Sequence, residues 1–197
     1  MKMGKIEKIF VNSKRHAKGN IRVIERLFPY TDLKGIENVL EIGCGVGMLS
    51  DYLSKNYDMN VVGTDVDADQ IEIAKKYFKD NEKLSFSIET ATNLPFDNSA
   101  FDMVLSFKVL HHISDWETVL KEVNRVLRPK GIFVLSDFIY TPFLKKIFKP
   151  FGKNYGLYTL NDIFGYLAGI DIKVIHHEKS MPIIFISNDI LFQKDSG

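Results

Sequence analysis

The sequence predicts an α/β fold built on a mostly parallel sheet. Three observations carry this. Short apolar runs alternate along the chain with apolar stripes at helical spacing. The first such run ends in three glycines at alternate positions. Two closing strands, about 171–178 and 182–192, follow the last helix as a hairpin. Alternating strands and helices imply right-handed crossovers and parallel pairing, and a terminal hairpin adds an antiparallel element at one edge.

Each element has its own signal. Residues 1–13 read as a loosely ordered arm. Ile21, Ile24, Leu27 and Phe28 recur at helical spacing over 14–28, and Pro29 stops that helix. Asn38 to Ile42 is a buried strand. Met48, Leu49, Tyr52 and Leu53 mark the helix after it. Asn60 to Asp65 is a second strand, followed by a helix carrying Ile71, Ala74, Tyr77 and Phe78 with Asp67 as N-cap. Leu84 to Ile88 alternates as a third strand, and Phe101 to Ser106 is a fourth. Trp116, Val119, Leu120, Val123, Val126 and Leu127 form one apolar stripe. Ser114 with Glu117 predicts a capping box at its start, and Arg128-Pro129-Lys130-Gly131 its end. Ile132 to Phe138 is a fifth strand. Thr159 with Asp162 caps a last helix that stops at Gly169 in the C′ role. Residues 139–158 are the one long connection without clear periodicity.

Composition narrows the function classes. The chain has 197 residues, 45% hydrophobic and 26% charged, enough for a proper core without a disulfide or metal staple. One cysteine, Cys44, excludes an internal disulfide and a multi-cysteine zinc site. A net charge of +1 argues against electrostatic nucleic-acid binding. No apolar run approaches the ~18 residues of a membrane span, and the basic start lacks the apolar core of a secretory signal. The expectation is a cytoplasmic protein. Charge is nonetheless uneven: residues 1–36 hold nine Lys/Arg against three acids, and 139–158 hold four lysines and no acid.

Ligands of such sheets bind beyond the carboxyl ends of the strands. There the sequence places Glu41-Ile42-Gly43-Cys44-Gly45-Val46-Gly47 after strand one and Asp65 at the end of strand two. The glycines let a ligand lie against the backbone, and the following helix points its amino end at it. Asp65 can accept hydrogen bonds from a ribose diol. Together these favour a nucleoside. A dinucleotide is disfavoured, because Met48 stands where its fingerprint wants a third glycine and Glu41 would repel a pyrophosphate. An amino-acid ammonium suits Glu41 better.

Glu41-x-Gly-x-Gly-x-Gly47, Gly63-x-Asp65, Asn93-Leu-Pro-Phe96, Phe101-Asp102, His111-His112 and Leu127-Arg-Pro-x-Gly131 resemble the class I S-adenosylmethionine-dependent methyltransferases. Their order and spacing are similar to the small-molecule branch called type 11, which includes ubiquinone and menaquinone methyltransferases. The resemblance covers about 36–138. It implies a Rossmann-like, seven-stranded sheet in order 3-2-1-4-5-7-6, strand 7 antiparallel, with helices on both faces. It implies S-adenosyl-L-methionine as cofactor, S-adenosyl-L-homocysteine as product, and no metal. Gly43, Cys44, Gly45 and Gly47 would line its methionine part, with Glu41 facing the ammonium. Asp65 would hold the ribose and Val66 pack on adenine. Thr90, Ala91, Thr92, Asn93 and Leu94 would receive the adenine edge, although many relatives carry an acid where this chain has Thr90. Ser106 and Phe107 would face the reacting methyl. Residues 1–35 then read as an arm and helix within the substrate cover, and 36–197 as the methyltransferase domain with a lid at 139–158.

Methyl transfer needs positioning, and a base only where the acceptor must lose a proton. His111 and His112, just after strand four, are candidates, as are Tyr140 and Asp137 at the end of strand five; a structural role for the histidines is the competing reading. His176 and His177 read as structural, one on each sheet face. The chain lacks the Asn/Asp-Pro-Pro-aromatic motif of exocyclic-amine nucleic-acid methyltransferases, and Cys44 lies within the cofactor loop. A small molecule, apolar, aromatic or anionic, is therefore the expected acceptor, without nucleic acid or stable membrane insertion. A protein or RNA acceptor, or a non-catalytic cofactor-binding regulator, are the alternatives. The aromatics and lysines of 139–158 suit an apolar substrate with an anionic group, or a lipid headgroup surface; a loop whose aromatics pack onto the sheet, with its lysines in water, is the competing reading.

Overall fold

A computed structural model describes residues 14–150, 155–180 and 187–196. The predicted arm at 1–13 lies outside these. Strands β1 (Asn38–Ile42), β2 (Asn60–Asp65), β3 (Leu84–Ile88), β4 (Phe101–Phe107), β5 (Leu127–Phe138), β6 (Ile172–Ser180) and β7 (Ser187–Lys194) form one sheet in the order β3-β2-β1-β4-β5-β7-β6. β1 to β5 run parallel, and β7 runs antiparallel to both neighbours. This is the predicted topology.

Helices α1 (Lys14–Leu27), α2 (Met48–Tyr57) and α3 (Ala68–Tyr77) cover one face. Ile24 and Leu27 of α1 pack with Leu49 and Leu53 of α2 against Val39, Met103 and Leu105. The other face packs under α4 (Trp116–Val126) and α6 (Leu160–Ala168), where Val119, Leu120, Val123, Ile163 and Leu167 meet Leu40, Val104 and Leu135. α1 is thus part of the core as well as a neighbour of the sheet's carboxyl end. Its Arg26 bonds Glu178 of β6 at 2.5 Å and the buried Asp189 of β7 at 2.6 Å.

Several local expectations are corrected. The capping box at Ser114 and Glu117 does not form; Asp115 occupies the N-cap without a side-chain bond. α4 ends at Val126 and leads straight into β5. Lys130, not Gly131, takes the left-handed turn (φ 64°). Gly131 is needed for close packing, since a Cβ there would lie 2.8 Å from the Arg128 carbonyl. Gly169 is the C-cap itself, in right-handed geometry (φ −72°). The connection 139–158 is not one open loop: Thr141 caps a short helix α5 (Pro142–Phe148), and Ile139 and Tyr158 are buried. The Asp67 cap and the Thr159–Asp162 capping box form as predicted. His176 stacks on Tyr30 on the α1 side, while His177 bonds Asn188 and meets the Phe164 ring on the α6 side.

Candidate active site

The turn after β1 is held by backbone bonds from Gly43 and Cys44 to the Thr64 carbonyl, at 2.7 and 2.9 Å. Gly43, Gly45 and Gly47 all have positive φ, but they answer to different neighbours. A Cβ at Gly43 would overlap the Val109 side chain, and one at Gly47 would lie 2.6 Å from the Phe86 ring. At Gly45 it would meet nothing nearer than Gln70 Oε1, 3.9 Å away. Gly45 is therefore the glycine that faces open space. Gly47 is also the N-cap of α2, and no side chain caps that helix. Its first amides and positive dipole end remain available to a ligand.

Glu41 lies beneath this turn, 3% exposed, and accepts from the Ser50 hydroxyl at 2.5 Å. Burial pushes its pKa from 4.5 to about 7, against the Ser50 bonds. Cys44 is buried as well, and burial pushes its thiol well up, away from nucleophilic use. Asp65 caps the site at β2: Oδ2 accepts from Gly45 N at 3.0 Å and Oδ1 from Asp67 N at 2.9 Å. Each carboxylate oxygen keeps acceptor capacity for a diol. Burial raises the pKa of Asp65, with the backbone bonds opposing it. Val66 beside it is 48% exposed, a large apolar side chain left open at the end of a strand.

The segment 90–94 folds back as a Thr90–Asn93 bridge, with the Thr90 and Thr92 hydroxyls 2.9 Å apart. Ala91 and Leu94 are buried in the core. A clamp from α4 sets this loop. Leu94 N donates to Glu122 at 2.8 Å, while Arg125 donates to the Leu94 and Phe96 carbonyls at 2.9 and 2.6 Å and to Glu122. At the end of β4, Ser106 is buried with its hydroxyl unpartnered among the described residues. Phe107 packs into the core under α1.

His111 comes from a 3-10 turn, Leu110–His112, just past β4. Its Nδ1 bonds Asp137 Oδ1, and its backbone N–H donates to Asp137 Oδ2 at 3.3 Å. Asp137 is fully buried at the end of β5 and also accepts from Phe138 N at 2.6 Å. A buried carboxylate on Nδ1 fixes the tautomer and leaves Nε2 as the acceptor nitrogen. The His112 ring lies 3.9 Å from that of His111. Tyr158 is fully buried, and desolvation with the Asp137 charge drives its pKa well up, although its hydroxyl makes no hydrogen bond of ordinary geometry among the described residues. The Tyr140 pKa rises by the same two causes. Val109, which touches Gly43, precedes His111 by two positions, so the glycine turn and the His–Asp pair share one wall.

Lys108 stands behind the pair, in left-handed backbone geometry (φ 59°). Its Nζ bonds the Ser136 and Ser187 hydroxyls and sits 4.7 Å from the centre of the Phe138 ring. Burial lowers its pKa, and the charges of Asp137 and Asp189 oppose that.

Residues 40–135 match the family model described as a methyltransferase domain. These residues form a domain of the class I S-adenosylmethionine-dependent methyltransferase type. It is 32% identical over 124 residues to the 27-O-demethylrifamycin SV methyltransferase of Amycolatopsis mediterranei, covering 61% of this chain and 46% of that protein. It is 32% identical over 135 residues to the 2-methyl-6-phytyl-1,4-hydroquinone methyltransferase of Synechocystis, covering 67% and 41%. The chain spans less than half the length of these curated relatives. Among solved structures, the PH0226 protein of Pyrococcus horikoshii superposes with a TM-score of 0.75 at 24% identity, covering 94% of this chain and 93% of that one.

The family implies S-adenosylmethionine, and the residues present fit it. Gly45 faces open space, α2 begins without a side-chain cap, and Ser106 and Gln70 carry buried polar atoms with no partner among the described residues. An unpaired buried polar group costs about 1–3 kcal/mol, which a ligand bond recovers. Gln70, Lys108 and the Glu122–Arg125 clamp escaped the sequence reading. Gln70 occupies an apolar-stripe position of α3, one residue before Ile71, which was a signal for it. Among the described residues no group of three or more His, Cys, Asp or Glu could hold a metal ion, and no helix is long and apolar enough to cross a membrane.

Proposed function

We propose that the chain transfers a methyl group from S-adenosylmethionine to a small acceptor, with His111 as general base for acceptors that must lose a proton. The observation that carries this is the His111–Asp137 pair, set against the glycine turn through Val109. Bound S-adenosylmethionine supplies an electrophilic methyl group whose sulfur keeps the bonding electron pair and needs no acid. In this reading Glu41 and the amino end of α2 receive the ammonium and carboxylate, Asp65 the ribose diol, Val66 the adenine face, and 90–94 its edge. Gly43, Cys44, Gly45 and Gly47 shape the wall, and Ser106 donates or accepts near the methyl. His111 Nε2 takes the acceptor proton, and Asp137 stabilises the imidazolium that results. Tyr140 and His112 line the approach. α1 and 139–158 cover an apolar, aromatic or anionic acceptor, in a cytoplasmic setting.

The test compares His111→Ala and Asp137→Asn with the parent protein. S-adenosylhomocysteine binding is measured by calorimetry, and methyl transfer to a metabolite extract by mass spectrometry. Cofactor affinity should persist while transfer falls by about 10²–10⁴. Unchanged transfer in both variants removes the base. Binding with no transfer to any metabolite favours a macromolecular acceptor or a regulator.

A further inference from the structure

α5 is unlike the other described helices. Each of the others buries at least two side chains, and α5 buries none. Phe143 is 72% exposed, and Leu144, Ile147 and Phe148 are all exposed beside it. At 3.6 residues per turn these four fall within an arc of about 140°. Lys145, Lys146 and Lys149 fill the opposite arc. Lys145 is committed to Asp162 of α6 at 2.7 Å, which pins the helix to the body. Lys146 and Lys149 make no ion pair with any described residue, and 139–158 contain no acid.

From this arrangement we propose that α5 docks the protein on an anionic lipid bilayer. A short helix with aromatic and aliphatic side chains on one arc and lysines on the other lies in the membrane–water interface, with its apolar arc among the acyl chains and its cations at the headgroups. The charge argues for this occupant over a second copy of the chain. A two-fold contact through the apolar arc leaves Lys146 and Lys149 of both copies on the far sides with no acid of 139–158 to meet them, whereas anionic headgroups neutralise them. The position argues for a use. The Phe148 ring lies 5.9 Å from that of Tyr140, three residues beyond Asp137. Docking therefore sets the mouth of the site against the bilayer. Resting on the methyltransferase reading, the acceptor is then an amphiphile reached from the lipid phase.

The test is co-sedimentation of the full chain with vesicles of phosphatidylcholine alone and of phosphatidylcholine with phosphatidylglycerol, at low and high salt. Binding is expected on the anionic vesicles and should weaken with salt. Lys146→Glu with Lys149→Glu should reduce it by more than tenfold, at about fivefold per lysine lost. Phe143→Ser with Phe148→Ser should reduce it at least tenfold. Both variants should keep the parent melting temperature, because α5 buries no side chain. Overturning results are no binding to the anionic vesicles, binding indifferent to both variants, or a dimer in light scattering that the phenylalanine variant abolishes. S-adenosylhomocysteine binding in the same samples reports separately on the methyltransferase reading.

Discussion

Substituting alanine at Gly43 and at Gly45 separates a glycine kept for packing from one kept for a ligand. Both have positive φ, 71° and 54°, so each alanine carries backbone strain of about 1–2 kcal/mol. They differ in what the new methyl meets. At Gly43 it overlaps Val109 Cγ2 and lies 3.1 Å from the other methyl of that side chain. Overpacking of this kind costs roughly 1–3 kcal/mol more. At Gly45 the nearest atom is 3.9 Å away, an ordinary contact. The expected losses are therefore about 2–5 kcal/mol for Gly43→Ala and about 1–2 for Gly45→Ala. At about 2–4 °C per kcal/mol for a domain of this size, Gly45→Ala should melt roughly 2–8 °C low, and Gly43→Ala roughly 4–20 °C low.

Binding should rank the other way relative to stability. Gly45→Ala places its methyl in the space assigned to the ligand, so S-adenosylhomocysteine affinity should fall at least tenfold in a protein that still melts cooperatively. Adding Val109→Ala to Gly43→Ala removes the overlapping methyls and should return part of the lost stability. Thermal denaturation and calorimetric titration measure both. Parent affinity in Gly45→Ala refutes the placement of the ligand. A melting loss in Gly45→Ala equal to that in Gly43→Ala refutes the packing argument.

Four further outcomes follow from the same geometry. Asp65→Asn should weaken S-adenosylhomocysteine at least tenfold, since a bond to a charged acceptor contributes about 1.5–3 kcal/mol, and calorimetry measures it. Affinity for that ligand, whose ammonium needs ionised Glu41, should rise with pH through about 7; Glu41→Gln should flatten the profile. For stability the sign is opposite: the folded state holds a proton between 4.5 and about 7 that the unfolded chain releases, so Glu41 lowers stability as pH rises through that window, as melts of parent and Glu41→Gln will register. Arg125→Ala severs the clamp on Leu94 and Phe96 and should lower the melting temperature by roughly 4–12 °C, at about 2–3 kcal/mol for partly exposed charged bonds.

The motifs legible in the sequence sort by sheet end, a distinction that one-dimensional spacing does not carry. Glu41 to Gly47, Asp65 and His111 lie at the carboxyl ends of β1, β2 and β4, where ligands bind. Phe101-Asp102 and Leu127-Arg128-Pro lie at the amino end of the sheet. There Asp102 accepts from Glu37 N and Asn38 N at 3.1 and 2.8 Å and pairs with Arg128 at 2.5 Å. That half of the pattern fastens the start of β1 to β4 and β5. The elements and the mostly parallel sheet were readable because hydrophobic period and strand–helix alternation are local, while the strand order rested on the family resemblance. Facing and pairing were not. Nothing local says that Gly43 and Gly47 admit Val109 and Phe86 while Gly45 admits no side chain.

The His111–Asp137 pair shows where local reading stops. The residues are 26 apart and sit on different elements, so only the β4–β5 register, with Phe107 opposite Ser136, brings the two strand ends level. The available signal was a charge near the end of a strand that is apolar from Ile132 to Leu135. A carboxylate buried there needs donors, and β4 is the parallel neighbour whose chain continues past the same edge. Applied to β1, β2 and β5, that rule selects Glu41, Asp65 and Asp137 together. It passes over Gln70, which lies on a helix and not at a strand end.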